Sequence, residues 1–243
     1  MTTPQHFEER SPWTERIQVG GFNAFSTVDW PGRIVAVVFL RGCPWRCGYC
    51  HNPELQTRLG PAPMNWQDVE VQLERRRGFL DGVVFSGGEP TADRCLPDAV
   101  ARVRGMGFEV GLHTGGAYPE RLAALLPELA WVGFDFKSDP PDYEAITHVP
   151  GSGARAWASA QTLAASDVSH EFRMTFHPGL LAEETVLRAA QRAASLGVRH
   201  FALQAFRPDG CADASLGGAV DIPAGLAERI SPLFERFTVR RAY

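Results

Sequence analysis

Short apolar runs alternate with longer stretches of helical period from about residue 34 to the end of the chain. Six of these runs have the length of a buried strand: Ile34–Leu40, Gly82–Phe85, Phe108–His113, Trp131–Phe136, His170–Phe176 and His200–Ala205. Strands that are apolar throughout and separated by helices are typical of a parallel sheet with both faces covered. The pattern therefore predicts an α/β fold built from repeated β-α units.

The segments between these runs carry helix start and stop signals. Asn65, with Asp68 three residues later and with Val69 and Leu73 on one face, predicts a capped amphipathic helix that stops near Gly78. Periodicity predicts five more helices, at 93–105, 118–127, 154–166, 182–196 and 223–232. Two stretches rich in Pro, Gly and Asp, 138–153 and 207–225, are predicted to be long connections.

Six core strands are fewer than the eight of a closed (β/α)8 barrel, which typically needs about 250 residues. We therefore expect a partial (β/α)6 TIM-like barrel of parallel strands, with a doubly wound open sheet as the alternative. An extended segment at 17–25 precedes the first core strand, and 237–239 predicts a short closing strand. Residues 1–15 are predicted to be a flexible lead and 16–243 a single domain. In both architectures the chemistry is expected where strands end at their carboxyl termini.

Composition narrows the function classes. The 243 residues contain 24 Lys and Arg against 28 Asp and Glu, a net charge of -4, which disfavours binding to nucleic acid or to an anionic membrane. No apolar run approaches the roughly 18 residues of a membrane span. The first residues are polar and mixed in charge, without the apolar core of a signal peptide. We expect a cytoplasmic protein that binds neither nucleic acid nor membrane.

Three of the five cysteines fall on one short segment directly after the first core strand. Cys43, Cys47 and Cys50 have the spacing C-x3-C-x2-C, which suits a metal or cluster site in a reducing compartment. Three thiolates can ligate three irons of a [4Fe-4S] cluster and leave the fourth iron open. The alternative is a zinc knuckle with His51 or another residue as fourth ligand, although no second Cys/His pair of suitable spacing follows. The remaining two cysteines, at 95 and 211, are interpreted as a helix-packing residue and a loop thiol.

Two further strand ends carry candidate binding residues. Gly87 and Gly88 lie in Ser86–Pro90, where paired glycines let the backbone approach a ligand closely; a tight strand-to-helix turn is the alternative. Asp135 and Lys137 end another strand, and Lys137 is the one lysine among 24 basic residues. An Asp in this position is often a turn cap. Together the two offer both signs of charge to a zwitterionic ligand.

These motifs resemble those of the radical S-adenosylmethionine (radical SAM) superfamily. The cysteine loop, with an aromatic residue at Tyr49, is similar to the superfamily signature. The longer stretches 25–32 and 50–55 are similar to its glycyl-radical-enzyme activating branch, and in particular to activating proteins of anaerobic ribonucleoside-triphosphate reductases. The similarity extends over about 20–208 and implies two cofactors, a [4Fe-4S] cluster and SAM.

The resemblance also implies roles for individual residues. It assigns Cys43, Cys47 and Cys50 to the cluster and assigns the SAM contacts to Tyr49, His51, Gly87, Gly88, Glu89, His113, Asp135 and Lys137. His113 stands where the branch has an Asp that helps hold a monovalent cation. A neutral imidazole is a poor ligand for a hard cation, so cation activation is doubtful here and His113 is expected to contact SAM directly.

The rim positions after the last two core strands are less informative. A lone histidine such as His177 is more often a structural hydrogen-bonding residue than a functional one, and Gln204 lies at the end of its strand. The SAM-contacting histidine that the branch carries near its last strand has no counterpart in 203–207. That contact has no assigned residue.

The activity implied by the resemblance is reductive cleavage of SAM to methionine and a 5'-deoxyadenosyl radical, which generates a glycyl radical on a partner enzyme such as anaerobic ribonucleotide reductase. A flavodoxin or ferredoxin is the expected electron donor, because cluster potentials in this class are low. Two alternatives stay open: a radical SAM enzyme acting on another peptide or a small molecule, and a non-catalytic iron-sulfur or zinc protein.

Overall fold

Eight strands form one sheet in which every strand pairs with the next strand along the chain. The computed structural model describes residues 13–211 and 213–241. The strands are β1 (Val19–Ser26), β2 (Val35–Leu40), β3 (Gly82–Gly87), β4 (Glu109–Thr114), β5 (Trp131–Asp135), β6 (Ser169–Phe176), β7 (His200–Ala205) and β8 (Arg236–Arg240). β1 is antiparallel to β2, and all other pairs are parallel.

This strand order confirms the predicted partial barrel with its six parallel core strands. A doubly wound sheet reverses its strand order at a switch point, and the order here runs without reversal from β1 to β8. The two outer strands, β1 and β8, correspond to the predicted extended segment and closing strand. They form the two edges of a sheet that does not close.

Seven helices connect the strands within the described residues: α1 (Trp66–Glu74), α2 (Leu96–Gly105), α3 (Pro119–Leu125), α4 (Tyr143–Thr147), α5 (Ser152–Ala164), α6 (Glu183–Ser195) and α7 (Ala224–Ile230). The predicted cap of α1 is present, because the Asn65 side chain accepts from the Asp68 amide at 2.9 Å. α1 ends at Glu74, earlier than the predicted stop at Gly78. The interpretation of 138–153 as a connection without helix was wrong, since α4 forms inside it.

The predicted lead at 1–15 lies mostly outside the described residues. At its end, the Trp13 ring packs edge-on against Trp66 of α1, with the ring centroids 5.1 Å apart. No helix among residues 13–211 and 213–241 combines the length and the apolar character that crossing a membrane requires.

The alternation of side chains along β2 separates two apolar clusters. Ala36, Val38 and Leu40 belong to the large core between the sheet and its helices, whereas Val35 and Val37 belong to a small cluster with Trp30, Val84 and Trp131. Because successive side chains of a strand point to opposite faces, the small cluster lies on the inner face of the curved sheet. We call these five residues, Trp30, Val35, Val37, Val84 and Trp131, the barrel floor.

Trp30 occupies the centre of the barrel floor. Its ring stacks on that of Trp131, with centroids 5.7 Å apart and an interplanar angle of 17°. Two strand glycines provide the space: a Cβ atom added to Gly82 or Gly111 would lie 3.1 or 2.9 Å from the Trp30 ring. The turn between β1 and β2 thus closes the inside of the sheet below the strand ends.

Replacing Trp30 by Ala is therefore expected to destabilise the fold. Removing a buried Trp from a rigid site costs about 3–5 kcal/mol of unfolding free energy, because the cavity collapses only partly. The control is Val28→Ala on the same turn, where the side chain is 78% exposed; its effect is expected to stay within about 0.5 kcal/mol. Urea denaturation measures both. Equal stability losses in the two variants would contradict the role of Trp30 in the barrel floor.

Candidate active site

The three clustered cysteines lie on one loop that leaves the end of β2. Cys43, Cys47 and Cys50 are half-buried free thiols, and all three line an open cleft at the carboxyl ends of the parallel strands. The loop closes on itself where the Gly42 amide donates to the Leu55 carbonyl at 2.7 Å. The predicted cluster ligands therefore share the predicted end of the barrel.

A second set of hydrogen bonds fixes the middle of this cysteine loop. The Arg46 guanidinium donates to the carbonyls of Cys43 and Trp45 at 2.7 and 2.8 Å. The Arg46 amide donates to the carbonyl of Thr147, at the end of α4, at 2.8 Å. The short helix that the sequence pattern did not predict thus supports the loop that carries the thiols.

Gly87 and Gly88 lie against the backbone of the cysteine loop. Gly87 has φ +117°, a conformation that favours glycine, and a Cβ atom there would lie 2.3 Å from the Leu40 carbonyl oxygen. A Cβ atom on Gly88 would lie 2.6 Å from the Gly42 carbonyl oxygen. Both glycines are needed for this close approach, which accounts for the motif structurally. Their contact with SAM stays a prediction.

Glu89 joins the ends of β3 and β4. Its side chain is almost fully buried, and one carboxylate oxygen accepts from the hydroxyls of Thr91 and Thr114 at 2.6 and 2.7 Å. The other oxygen accepts from the Gly115 amide at 2.9 Å. Both oxygens are engaged within the protein, so Glu89 shapes the cleft even before any contact with a ligand.

Lys137 lies between two aromatic rings of the cysteine loop. Its ammonium nitrogen is 5.8 Å from the centroid of the Trp45 ring and 5.6 Å from that of the Tyr49 ring. Cation-π contacts of this kind hold a positive charge without neutralising it. Two residues earlier, Asp135 accepts from Arg173 Nε at 3.2 Å. The cleft therefore holds the two signs of charge that the sequence predicted.

The surroundings keep both of these groups ionised at neutral pH. Burial by itself raises the pKa of Asp135, but the positive charges of Arg173 and Lys137 outweigh burial and lower that pKa below its ordinary value. Burial by itself lowers the pKa of Lys137, but the acidic groups of Tyr49, Cys47 and Asp135 raise it above its ordinary value. Asp135 is an anion and Lys137 a cation in the cleft.

His113 is a neutral imidazole whose nitrogens both contact protein atoms. Nε2 lies 2.7 Å from the Asp29 carbonyl oxygen and 3.2 Å from Arg173 Nη1. Nδ1 lies 3.3 Å from the Ser86 hydroxyl. Burial, followed by the charge of Arg173, lowers the pKa of His113 to about 4. The side chain lines the cleft, and its direct contact with SAM stays a prediction.

Arg173 is a charged residue of the cleft that the sequence did not predict. It is buried on β6, and its guanidinium contacts Asp135, the Gly133 carbonyl at 3.2 Å and the face of Trp131. The available signal was the alternation of polar Glu171, Arg173 and Thr175 with large apolar residues along β6. An alternating strand has a polar face, and in this sheet that face turns toward the cleft.

Two histidines near the cleft, His51 and His177, donate hydrogen bonds to backbone carbonyls. His51 Nε2 donates to the Arg207 carbonyl at 2.9 Å and so joins the cysteine loop to the segment after β7. His177 Nε2 donates to the Leu216 carbonyl at 2.7 Å, as expected for a structural histidine. Cys211 also contacts the cysteine loop, where its thiol donates to the Gly48 carbonyl at 3.4 Å. It is a loop thiol, but one that lies beside the site.

The residues of the cleft fit a sulfur cluster. Burial raises the pKa of the Cys43 thiol to about 12 and also raises that of Cys47, so a metal must displace protons to bind. The indole Nε1 of Trp45 is buried without a partner in the described chain, and Trp45 lines the cleft. An unpaired buried donor beside thiols suits a sulfur-rich acceptor. Among the described residues, no three His, Cys, Asp or Glu side chains are close enough together to hold a single metal ion. A [4Fe-4S] cluster does not need such a group, because each thiolate binds a different iron of the cluster.

Sequence comparisons relate the chain to one superfamily and to named relatives. The family model of the Radical SAM superfamily matches residues 37–202. A putative glycyl-radical enzyme activating enzyme of Methanocaldococcus jannaschii is 28% identical over 210 residues, which cover 78% of this chain and 80% of that protein. The pyruvate formate-lyase-activating enzyme of Clostridium pasteurianum is 30% identical over 146 residues, which cover 58% of this chain and 60% of that enzyme.

Solved structures share the fold at low sequence identity. Streptococcus suis SuiB bound to S-adenosylmethionine superposes with a TM-score of 0.64 at 11% identity, over 83% of this chain and 48% of that one. A radical SAM methyltransferase from Sphaerobacter thermophilus gives a TM-score of 0.62 at 16% identity, over 87% of this chain and 67% of that one. These likenesses support the partial barrel and carry no information about the substrate. Since the family model covers more than half of the chain, and the cleft fits a sulfur cluster, the protein belongs to the Radical SAM superfamily and is a radical SAM enzyme that uses a [4Fe-4S] cluster and SAM.

Proposed function

We propose that this enzyme activates a glycyl radical enzyme by removing a hydrogen atom from a glycine of that partner. The observation that carries the proposal is that the three thiols, Asp135 and Lys137 line one cleft of a sheet whose two edge strands, β1 and β8, do not pair with each other. An open side suits a polypeptide loop as substrate. Relatives named as activating enzymes of glycyl radical enzymes and of pyruvate formate-lyase support the partner class.

The cofactors would be held by two groups of residues. The cluster would be held by the thiolates of the cysteine loop, Cys43, Cys47 and Cys50. SAM would be held by residues of four strand ends: Tyr49, His51, Gly87, Gly88, Glu89, His113, Asp135 and Lys137. When bound, these cofactors supply one-electron reductive cleavage of the SAM sulfonium, and from it the abstraction of a hydrogen atom.

The protein's own residues bind, orient and exclude water. Lys137, held over two rings as an unneutralised cation, can donate hydrogen bonds to the SAM carboxylate, while ionised Asp135 can accept hydrogen bonds from hydroxyl groups. The hydrogen bonds of Arg46 fix the cysteine loop, which keeps the thiols and Lys137 in one arrangement. The barrel floor with Trp30 closes the cleft from below and limits access of water to a reactive centre.

The resemblance of the sequence to the activating branch also implies a specific partner and a specific class of electron donor. The expected partner is anaerobic ribonucleotide reductase, because the motif from 25 to 55 resembles that of its activating proteins. The expected electron donor is a flavodoxin or ferredoxin, since cluster potentials in this class lie at the negative end of the range. Both donors and both cofactors suit a reducing, cytoplasmic location.

The proposal is tested by anaerobic incubation of the reconstituted holoenzyme with SAM, dithionite and a candidate partner. We expect 5'-deoxyadenosine to form, and we expect a glycyl radical signal in electron paramagnetic resonance from anaerobic ribonucleotide reductase. Pyruvate formate-lyase in a parallel incubation tests the other partner class. 5'-Deoxyadenosine without a radical on either partner would favour another peptide or a small molecule as substrate, and no 5'-deoxyadenosine at all would reject catalysis.

Cys47→Ala is expected to abolish stable cluster loading, because the two remaining thiolates leave a second iron without a protein ligand. The matched control is Cys211→Ala, which removes a thiol that touches the same loop but lies outside the motif. Iron and acid-labile sulfide content after anaerobic reconstitution measure both variants. Normal iron in Cys47→Ala, or equal losses in both variants, would be inconsistent with the ligand assignment.

Lys137→Ala is expected to weaken SAM binding and leave the iron content unchanged. A hydrogen bond to a charged group contributes about 1.5–3 kcal/mol, so the dissociation constant should rise about tenfold or more. Arg155→Ala, which removes an exposed cation on α5, is the control and should bind SAM normally. Equilibrium dialysis of the holoprotein with labelled SAM provides the measurement. An unchanged affinity in Lys137→Ala would refute the assignment.

A further inference from the structure

Three polar side chains of the last strands are joined by hydrogen bonds, and the proposed function gives none of them a role. Arg240 of β8 donates through Nη1 to Gln204 Oε1 at 2.8 Å and through Nη2 to Glu171 Oε1 at 2.7 Å. Gln204 is on β7 and Glu171 on β6, so the group spans three neighbouring strands. We call these residues the rim triad. Of the three, Gln204 lines the cleft.

Arg240 determines which way the Gln204 amide faces. A guanidinium has only donors, so the amide must turn its oxygen toward Arg240. The NH2 group of the same planar amide is then on the other side. In the part of the chain that the structure describes, no acceptor is hydrogen-bonded to this NH2 group. Gln204 therefore offers a neutral donor of fixed orientation.

The rest of the rim triad keeps Arg240 from releasing the amide. The Glu171 carboxylate that holds Arg240 is only 8% exposed, and a buried charge without its partner is costly. The backbone adds a second restraint, because Arg240 and Gln204 are opposite each other in the pairing of β7 with β8, and Gln204 is opposite Thr175 in the pairing with β6. The donor is thus held from both sides.

We propose that the Gln204 NH2 group donates to an acceptor atom on the nucleoside part of SAM. The inference rests on the proposed function, because it requires SAM to bind in this cleft. Gly87 and Gly88, at the end of β3, are the expected contacts of the amino-acid part. Gln204 is four strands farther along the sheet, past Asp135 of β5. If the amino-acid part binds at the end of β3, the nucleoside can reach across the cleft to Gln204, because Gly87, Gly88, Asp135 and Gln204 all line it.

The substitution that best tests the proposed hydrogen bond is Gln204→Glu, because glutamate has nearly the size of glutamine and keeps an oxygen for the contact with Arg240. Gln204→Glu replaces the NH2 donor with a carboxylate oxygen, which repels an acceptor on the ligand. We expect the SAM dissociation constant of the anaerobic holoprotein to rise about tenfold in equilibrium dialysis. Competition by free methionine should be unchanged, because methionine lacks the nucleoside. Gln161→Glu makes the same chemical change at an exposed position on α5 and should alter neither value.

Arg240 is a positioning residue in this scheme, and a double-mutant cycle separates positioning from general stability. Arg240→Met alone should weaken SAM binding a few-fold, because the amide becomes free to turn. In a Gln204→Ala background the same replacement should have no further effect on binding. A merely structural arginine would cost the same affinity in both backgrounds, and that result would overturn its positioning role.

The outcomes distinguish this inference from the proposed function. A wild-type holoprotein that binds no SAM overturns both. Normal SAM binding by wild type together with unchanged binding by Gln204→Glu overturns the Gln204 contact alone. Normal SAM binding by Gln204→Glu together with a raised KM for the partner polypeptide would also overturn the SAM contact. It would assign the Gln204 donor to the polypeptide instead. Equal iron content and circular dichroism of the variants ensure that each comparison is made between folded, loaded proteins.

Discussion

The close contact between two backbones, that of the β3 end and that of the cysteine loop, determines where the reactive centre forms. At Gly87 and Gly88 there is no room for even one carbon atom, since the carbonyls of Leu40 and Gly42 would lie within 2.6 Å of it. Any side chain at these positions would move the loop and with it all three thiols. The distance between the thiols and the charged end of β5 thus depends on two hydrogen-sized side chains.

The two cations inside the curved sheet lie at different depths. They have different roles because their partners differ. Arg173 lies deep, where Asp135 and the Gly133 carbonyl occupy much of its guanidinium. Lys137 lies higher and, within residues 13–211 and 213–241, has aromatic rings rather than a carboxylate beside its ammonium. A paired cation organises the protein, whereas an unpaired cation is available to a ligand. This difference explains why a single lysine occurs in a chain that otherwise uses arginine.

The predictions from the sequence succeeded where the signal was local or periodic. The apolar runs identified all six core strands, and Asn65 marked the start of α1. They failed where a short segment is stabilised from a distance: α4 has only five residues and depends on the contacts it makes, including the hydrogen bond from Arg46 to Thr147. Arg173 was missed for a related reason. A charged residue in a strand has no visible partner until the neighbouring strand places Asp135 beside it.

The sequence by itself determined the parallel sheet, the loop with three thiols and the identity of the charged pair at the end of β5, because each depends on residues that are close in the chain or on a regular period. The tertiary structure alone decided which of these groups remain available. His113 binds the carbonyl of Asp29, 84 residues earlier, and the amide of Gln204 is turned by Arg240, 36 residues later. Hydrogen bonds between such distant residues depend on how the strands are paired and how the sheet curves. No local pattern encodes that arrangement.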